Sequence, residues 1–336
     1  MCLNVANVGA QTHWPHLNTL ATFIPLPTLF YFCRMDFGKL LSIDKVDFRL
    51  PPEPPQNASV LQSLPKATQS SLFIGPTGYN MKPWVGKWYP PGAREKDFLR
   101  HYAAQFNTIE FNTTHYRMPD PSSVRRWREE VPSDFRFCPK VPQSISHAHD
   151  LGLHGSEPQI FCEAVAGFEE NLGCNFLQLP PHFGPRDLPI LARFLEGFAA
   201  QTPLAVEVRH PAFFQDTPEG EVFFELLEKH NVAAVITDVA GRRDVCHLRL
   251  TNARTLIRFV GNSLVPSDYS RVEAWAGRLK TWFDNGLHEA YFFTHEPDNL
   301  LGPELTALCA EIFSQAMPGV RMRGPKPVVG QQGSLF

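Results

Sequence analysis

The chain lacks most of the features that fix a function outright. Its 336 residues include seven cysteines, an odd number (Cys2, Cys33, Cys138, Cys162, Cys174, Cys246 and Cys309), with no C-x-x-C pair. That spacing excludes a paired disulfide framework or a cysteine zinc site and fits reduced thiols in a cytosol. Cys138, in Phe-Arg-Phe-Cys-Pro-Lys, reads as a small packed hydrophobe rather than a nucleophile. There is no P-loop, no G-x-S-x-G elbow and no dinucleotide fingerprint, so a nucleoside triphosphatase, a serine hydrolase of the usual α/β type and a nicotinamide enzyme have no support. Neither sign of charge dominates. With 31 Lys+Arg against 34 Asp+Glu the net charge is −3, which gives no global attraction for nucleic acid. The apolar run Leu20–Cys33 has no basic segment before it, contains Pro25 and Pro27, and is too short to span a bilayer. A cytoplasmic protein is expected.

What is present is punctuation and alternation. Thirty-one prolines predict many interrupted connections rather than long helices. Residues 1–34 carry few charges and no periodicity, and read as a disordered or irregular upstream extension, with Met35 as the expected start. Residues 35–70 read as an N-terminal segment and linker, rich in Pro, Gln and Ser over 51–70. From residue 72, short apolar runs alternate with helical stretches. Strands are expected at Leu72–Gly75, Thr108–Asn112, Phe135–Val141, Asn175–Leu179, Leu204–Val208, Ala233–Thr237, Leu256–Val260 and Ala290–Thr294. Helices are expected over 94–106, 121–131, 158–172, 187–199, 219–230, 268–285 and 303–316. In the first of these, Phe98, Leu99, Tyr102 and Phe106 share one face. Asp268 and Pro303 stand where helices start, and Gly286 where one stops.

Strands alternating with helices imply parallel pairing, because each crossover needs a helix to return the chain. Eight units over about 245 residues fit a single (β/α)8 TIM barrel across residues 71–318. An open doubly wound sheet would carry a glycine-rich phosphate turn after its first strand, and Gly75-Pro-Thr-Gly78-Tyr is not one. The weak point is the sixth connection, Val239–Thr255, which has no amphipathic helix. Residues 319–336 are expected to be a disordered tail.

In a barrel the chemistry lies at the C-terminal ends of the strands. Those ends hold Tyr79 and Trp84; Glu110, Asn112 and Tyr116; Lys140 and His147; Gln178; Glu207 and Arg209; Asp238; Arg258; and His295 with Glu296. Glu110 and Asn112 are two apart, as are Glu207 and Arg209, so each pair shares a strand face. Charges inside apolar strands are costly unless paired. Each residue alone could be a structural ion pair. Glu110, Lys140, Glu207, Arg209, Asp238 and Arg258 together point to a site.

The strings themselves carry a likeness. Ile74-Gly75-Pro-Thr-Gly78-Tyr79 with Trp84, Gly86 and Tyr89-Pro90, then Asn107-Thr-Ile-Glu110-Phe-Asn112-Thr-Thr-His115-Tyr116-Arg117, resemble ordered motifs of the YecE-like family, domain of unknown function 72. Phe137-Cys-Pro-Lys140-Val-Pro with His147, Gln178-Leu-Pro-Pro181, Glu207-Val-Arg209-His210 and Thr237-Asp238 follow in the same order, over about residues 72–300. The resemblance implies the barrel and no assigned reaction. Two positions depart from it: Tyr79 stands where tryptophan is usual, and Val260 where the seventh strand often has histidine.

The expected function is an enzyme acting on an anionic or polyhydroxylated small molecule. Glu110, Lys140, His147, Glu207 and Asp238 are the candidate catalytic groups, with Glu110 and Glu207 as a carboxylate acid/base pair. Lys140, Arg209 and Arg258 are expected to hold an anion. Tyr79, Trp84, Asn112, Tyr116, Gln178, Arg209, Arg258 and His295 are the candidate substrate contacts, the aromatics also having loop packing as a plain alternative. No cofactor is expected. A divalent metal held by Glu110, His147, Glu207, Asp238 and His295 is the alternative, with no H-E-x-x-H spacing to support it. A non-catalytic binding barrel remains open. The last residues, Gln332-Gly-Ser-Leu335-Phe336, resemble the bacterial sliding-clamp-binding pentapeptide, with glycine in place of its second-position leucine. Gln332, Leu335 and Phe336 are the expected contacts with such a partner.

Overall fold

The computed structural model describes residues 38–328 except 66, 215 and 216. The described residues all fall in one compact unit. The expected extension and the Gln332–Phe336 peptide lie outside the described residues.

Eight strands are present: β1 (Ser71–Pro76), β2 (Thr108–Phe111), β3 (Arg136–Pro139), β4 (Asn175–Gln178), β5 (Leu204–Glu207), β6 (Ala233–Asp238), β7 (Arg254–Val260) and β8 (Glu289–His295). Each falls on one of the apolar runs. The helices are α1 (Gln56–Gln62), α2 (Phe98–Gln105), α3 (Thr113–Tyr116), α4 (Pro121–Glu129), α5 (Gln143–Ser146), α6 (Glu157–Ala166), α7 (Leu188–Phe198), α8 (Pro218–Lys229), α9 (Pro266–Asp284) and α10 (Gly302–Ala316). Proline at the first helical turn fits because its missing N–H would have no partner there. It opens α4 beside the Asp120 cap and α8 beside the Thr217 cap. α9 likewise starts at Pro266, so Asp268 lies within its first turn rather than before it. Gly286, at φ +113, follows the end of α9 in a conformation that side chains rarely adopt.

Every laddered pair is parallel, and β2, β4, β5 and β6 are buried along their whole length, as a parallel sheet covered on both faces requires. The ladders form a six-stranded sheet, β1-β8-β7-β6-β5-β4, and a two-stranded sheet, β2-β3. The fold is thus mixed α/β with parallel strands, and the unbroken eight-strand ladder that the spacing predicts is interrupted twice. Between β1 and β2 the Asn107 side chain substitutes for the backbone: it accepts from Ile74 N–H at 2.8 Å and donates to Leu72 O at 3.2 Å. A Cβ on Gly75 would lie 2.2 Å from Thr108 O, so only glycine allows this approach. Between β3 and β4 two single bridges remain, Phe137↔Leu172 and Lys140↔Phe176.

The sixth connection has no α-helix, only the short 3-10 turn Arg243–Val245. Against it lies α1, inside the stretch that reads as linker. Buried Asn57 donates to Leu248 O at 2.9 Å and accepts from Leu250 N–H at 2.8 Å. Leu61 packs in one cluster with Leu248, Leu250, Trp282 and Leu287. At the other end, the tail expected from residue 319 follows the body to Val328. Leu72 N–H donates to Arg321 O, Arg323 pairs with Asp134 at 2.9 Å, and Val328 N–H donates to Lys87 O. Among the described residues no helix is long and apolar enough to cross a membrane.

Candidate functional site

Inside the strands, Phe73, Phe176, Leu256, Tyr291 and Phe293 belong to one apolar cluster. At the C-terminal ends of six strands the packing turns polar. Arg258 of β7 donates to Glu110 of β2 from Nε at 2.9 Å and from Nη2 at 3.1 Å. Its Nη1 donates to Glu207 of β5 at 2.8 Å. His295, ending β8, contacts Glu110 Oε2 through Nε2 at 2.9 Å, and Asn112 donates to Glu110 Oε1 at 3.0 Å. Gln178, ending β4, donates to Glu207 at 2.9 Å and accepts from Lys140 Nζ at 2.9 Å. Arg209 donates to Glu207 Oε1 at 2.9 Å. One hydrogen-bonded chain therefore runs His295–Glu110–Arg258–Glu207–Gln178–Lys140, with Arg209 joined at Glu207. The Phe176 ring lies 5.6 Å from Lys140 Nζ and 5.7 Å from the Arg258 guanidinium carbon, so both cations rest on an aromatic face.

Burial alone pushes both carboxyls up, but the neighbouring cations more than reverse it. Arg258, then His295, hold Glu110 well below the usual carboxylate range. Arg258 and Arg209 bring Glu207 to about 2. Burial lowers His295, with Glu110 opposing and Arg258 reinforcing. Lys140, Arg209 and Arg258 are interleaved with the two carboxylates along this chain of groups.

Around it, Thr114 of α3 donates to Lys140 O at 2.7 Å, and His115 bonds Val141 O through Nδ1 at 3.0 Å. The His115 and His147 rings lie 5.7 Å apart, and Ser146 Oγ is 2.9 Å from His147 Nδ1. Burial, then Lys140, brings His115 to about 4. His147 is lowered by burial, then by Lys140, His182 and Arg209. Tyr79 stacks on Phe111, and Tyr116 is 58 % exposed on the surface.

Two expected site residues stand elsewhere. Asp238 is the outward neighbour of Thr237, which is in register with Arg258. Its carboxylate accepts from Arg271 at 2.9 Å, from Trp275 Nε1 at 2.8 Å and from Arg243, which fastens β6 to α9. It therefore stands outside the hydrogen-bonded chain that runs from His295 to Lys140. Trp84 is buried against Tyr89, Tyr102 and Phe106, with its N–H on Leu300 O at 3.1 Å, so it packs the β1–α2 loop and forms no wall of the site.

Sequence reasoning passed over Glu296. It is 6 % exposed, accepts from Ser263 N–H at 2.9 Å through Oε2, and leaves Oε1 buried with no hydrogen-bond partner. Burial, and then Asp268 and Asp298 against the opposing Ser263 bond, bring it to about 7. Its position next to His295 was the available signal. His147 and His149 stand two apart, a spacing that can suit a metal, but among the described residues no three His, Cys, Asp or Glu side chains are grouped to hold one.

Three comparisons bear on the chain. The family model described as "Protein of unknown function DUF72" matches residues 73–328. The UPF0759 protein YecE of Escherichia coli strain K12 is 35% identical over 256 residues, covering 71% of this chain and 92% of that protein; the protein of that name from Escherichia coli O157:H7 matches equally. Two crystal structures of a DUF72 family protein from Enterococcus faecalis V583 superpose with TM-scores of 0.59 and 0.58, at 17% and 18% identity. They cover 74% and 77% of this chain and 99% and 100% of theirs, a likeness of fold.

Proposed function

The chain belongs to the DUF72 family, and from that premise we propose that it is a cytoplasmic (β/α)8-barrel enzyme acting on a small anionic, hydroxyl-bearing molecule. The bridge from Asn107 to β1 and the Lys140↔Phe176 pairing support closure of the strands into a barrel. The single observation carrying the functional reading is the chain of buried polar groups drawn from six strands to one strand-end mouth. Lys140 and Arg209 hold the anion, as compact charge and planar fork respectively. Glu110 and Glu207, kept ionised by their cations, are weak bases near pH 7 because a general base works best with a pKa close to the working pH. They act instead as fixed charges that orient Arg258 and Arg209. Proton transfer falls to His147, which is neutral at pH 7 and backed by Ser146.

The test is turnover of a panel of phosphorylated sugars and nucleotides by the intact chain. Glu207→Gln should lower turnover or raise KM by roughly 10²-fold, and His147→Gln should lower kcat by about 10²–10⁴-fold, with unchanged circular dichroism in both. Full activity in both variants would defeat the assignment. Saturation of both carboxylates by protein donors favours a second reading, a non-catalytic binding barrel; ligand binding without turnover across the panel would support it.

A further inference from the structure

The chain of polar groups draws on β2, β3, β4, β5, β7 and β8. The expected member from β6, Asp238, is taken up instead by Arg271, Trp275 and Arg243. The β6 side chain that faces the strand interior at this level is Thr237. Val235, two residues before it, belongs to the interior apolar cluster, and side chains two apart share a strand face. Thr237 stands in register with Arg258 of β7, whose guanidinium bonds Glu110 and Glu207. It is 1 % exposed, and its Oγ1 is buried with no hydrogen-bond partner. Among the described residues the other buried side-chain atoms without partners lie elsewhere. Asn175 and Thr255 precede the interior Phe176 and Leu256 and so face the other way, and the rest lie outside the strands.

A buried hydroxyl without a partner is a cost to the fold, because it forfeits the bonds it made with water. Valine has nearly the same shape, suits a buried strand and would carry no such cost. A position that breaks this rule with no compensation inside the fold points to a group brought in from outside. The surroundings select that group. Glu110 and Glu207 already hold the neighbouring guanidinium, so a further negative charge sealed beside them would lose its hydration and meet two like charges. A neutral hydroxyl costs far less to bury, and it both donates and accepts, as Thr237 does. Arg209, an anion contact in the proposed function, follows β5, the strand paired with β6. The two contacts therefore fall on neighbouring strands, about 4.8 Å apart.

Deepening the proposed function and resting on it, we infer that Thr237 is a specificity-determining contact, which takes a hydroxyl carried close to the anionic group of the substrate.

Glycerol 3-phosphate and propyl phosphate are the probes, because they share the phosphate and the carbon chain and differ only in hydroxyls. Calorimetric titration of the full chain should give glycerol 3-phosphate a Kd roughly tenfold below that of propyl phosphate. Thr237→Val should bind the two alike, with the Kd for propyl phosphate unmoved. Thr237→Ser, which keeps the hydroxyl, should retain the preference. Urea unfolding without ligand supplies a readout that a merely structural hydroxyl would move the other way. Thr237→Val loses an unpaired group, so its midpoint should equal or exceed that of the wild type. A lower midpoint would show the hydroxyl to be satisfied within the fold and would overturn the inference. So would a preference that survives in Thr237→Val, or equal affinity of the wild type for both probes. In each of these cases binding of propyl phosphate leaves the anionic substrate standing. Binding of neither probe would remove both the inference and the anion-binding part of the proposed function.

Discussion

Arg258 donates to two buried carboxylates, Glu110 of β2 and Glu207 of β5, and this bridge lets both stay ionised out of water. Arg258→Leu would leave two buried negative charges without their main counter-charge, a change that typically costs about 3–5 kcal/mol. Urea unfolding at neutral pH should show that loss. In the wild type, depressed carboxyl pKa values contribute stability that is present above the ordinary value of 4.5 and lost as pH falls towards about 2. In the variant burial prevails and raises the carboxyls, so the variant regains stability as the pH falls towards 4.5 while the wild type loses it below, and the deficit should shrink across both windows. A pH-independent deficit would point to lost packing instead. Glu296 has the opposite sign. Raised to about 7 from 4.5, its carboxyl costs the native state stability as pH climbs through that window. Glu296→Gln escapes the cost, so its stability relative to wild type should rise between those two values and level off above pH 7. A gain of about 1–3 kcal/mol is expected. Urea midpoints at acid and alkaline pH would measure it, and equal differences at both would refute it. The cluster was legible at this scale because charges within apolar strands are conspicuous. Asp238 lies apart from that chain because alternation puts Thr237 and Asp238 on opposite faces of β6, and only the register with β7, absent from the sequence, says which of them faces Arg258.

The strands were the most legible elements, because a buried parallel strand is a short run rich in Val, Ile and Phe between turns. The helix after β6 was missing from the pattern and is missing from the fold. What the pattern could not give is its replacement, since α1 lies far upstream and its seven residues contain few apolar side chains. The signal was a single polar group, Asn57, whose carboxamide satisfies Leu248 O and Leu250 N–H as a neighbouring strand would. Asn57→Ala would leave both buried backbone groups without partners, at about 1–3 kcal/mol in total once water and relaxation are allowed for. Hydrogen exchange should quicken over residues 246–252 and in α1 before it changes in β7. Uniform acceleration across all strands would mean that α1 is not a local brace.

The first described residues are tied into the body from end to end. Gly241 N–H donates to Gly38 O, the Phe48 ring lies 4.8 Å from the Arg271 guanidinium carbon, and Glu53 accepts from Trp282 Nε1 at 2.9 Å and pairs with Arg278. Composition made 51–70 look like a linker because Pro, Gln and Ser seldom pack. Here the segment supplies polar anchors and one short helix rather than an apolar face, which periodicity cannot detect. These ties carry a physical expectation for a chain starting at Ser71, compared with one starting at Met35. A chain starting at Ser71 loses the Phe48 contact, the Glu53 pairing and the Asn57 and Leu61 packing over the sixth connection. Burying Leu61, with the partly buried Phe48, accounts for about 2–4 kcal/mol, and the orphaned polar groups add to it. The shorter chain should therefore lose several kcal/mol and expose Trp275 and Trp282, read as a red-shifted fluorescence maximum. Equal midpoints for both truncations would mean that residues 38–64 lie on a unit that is already complete without them.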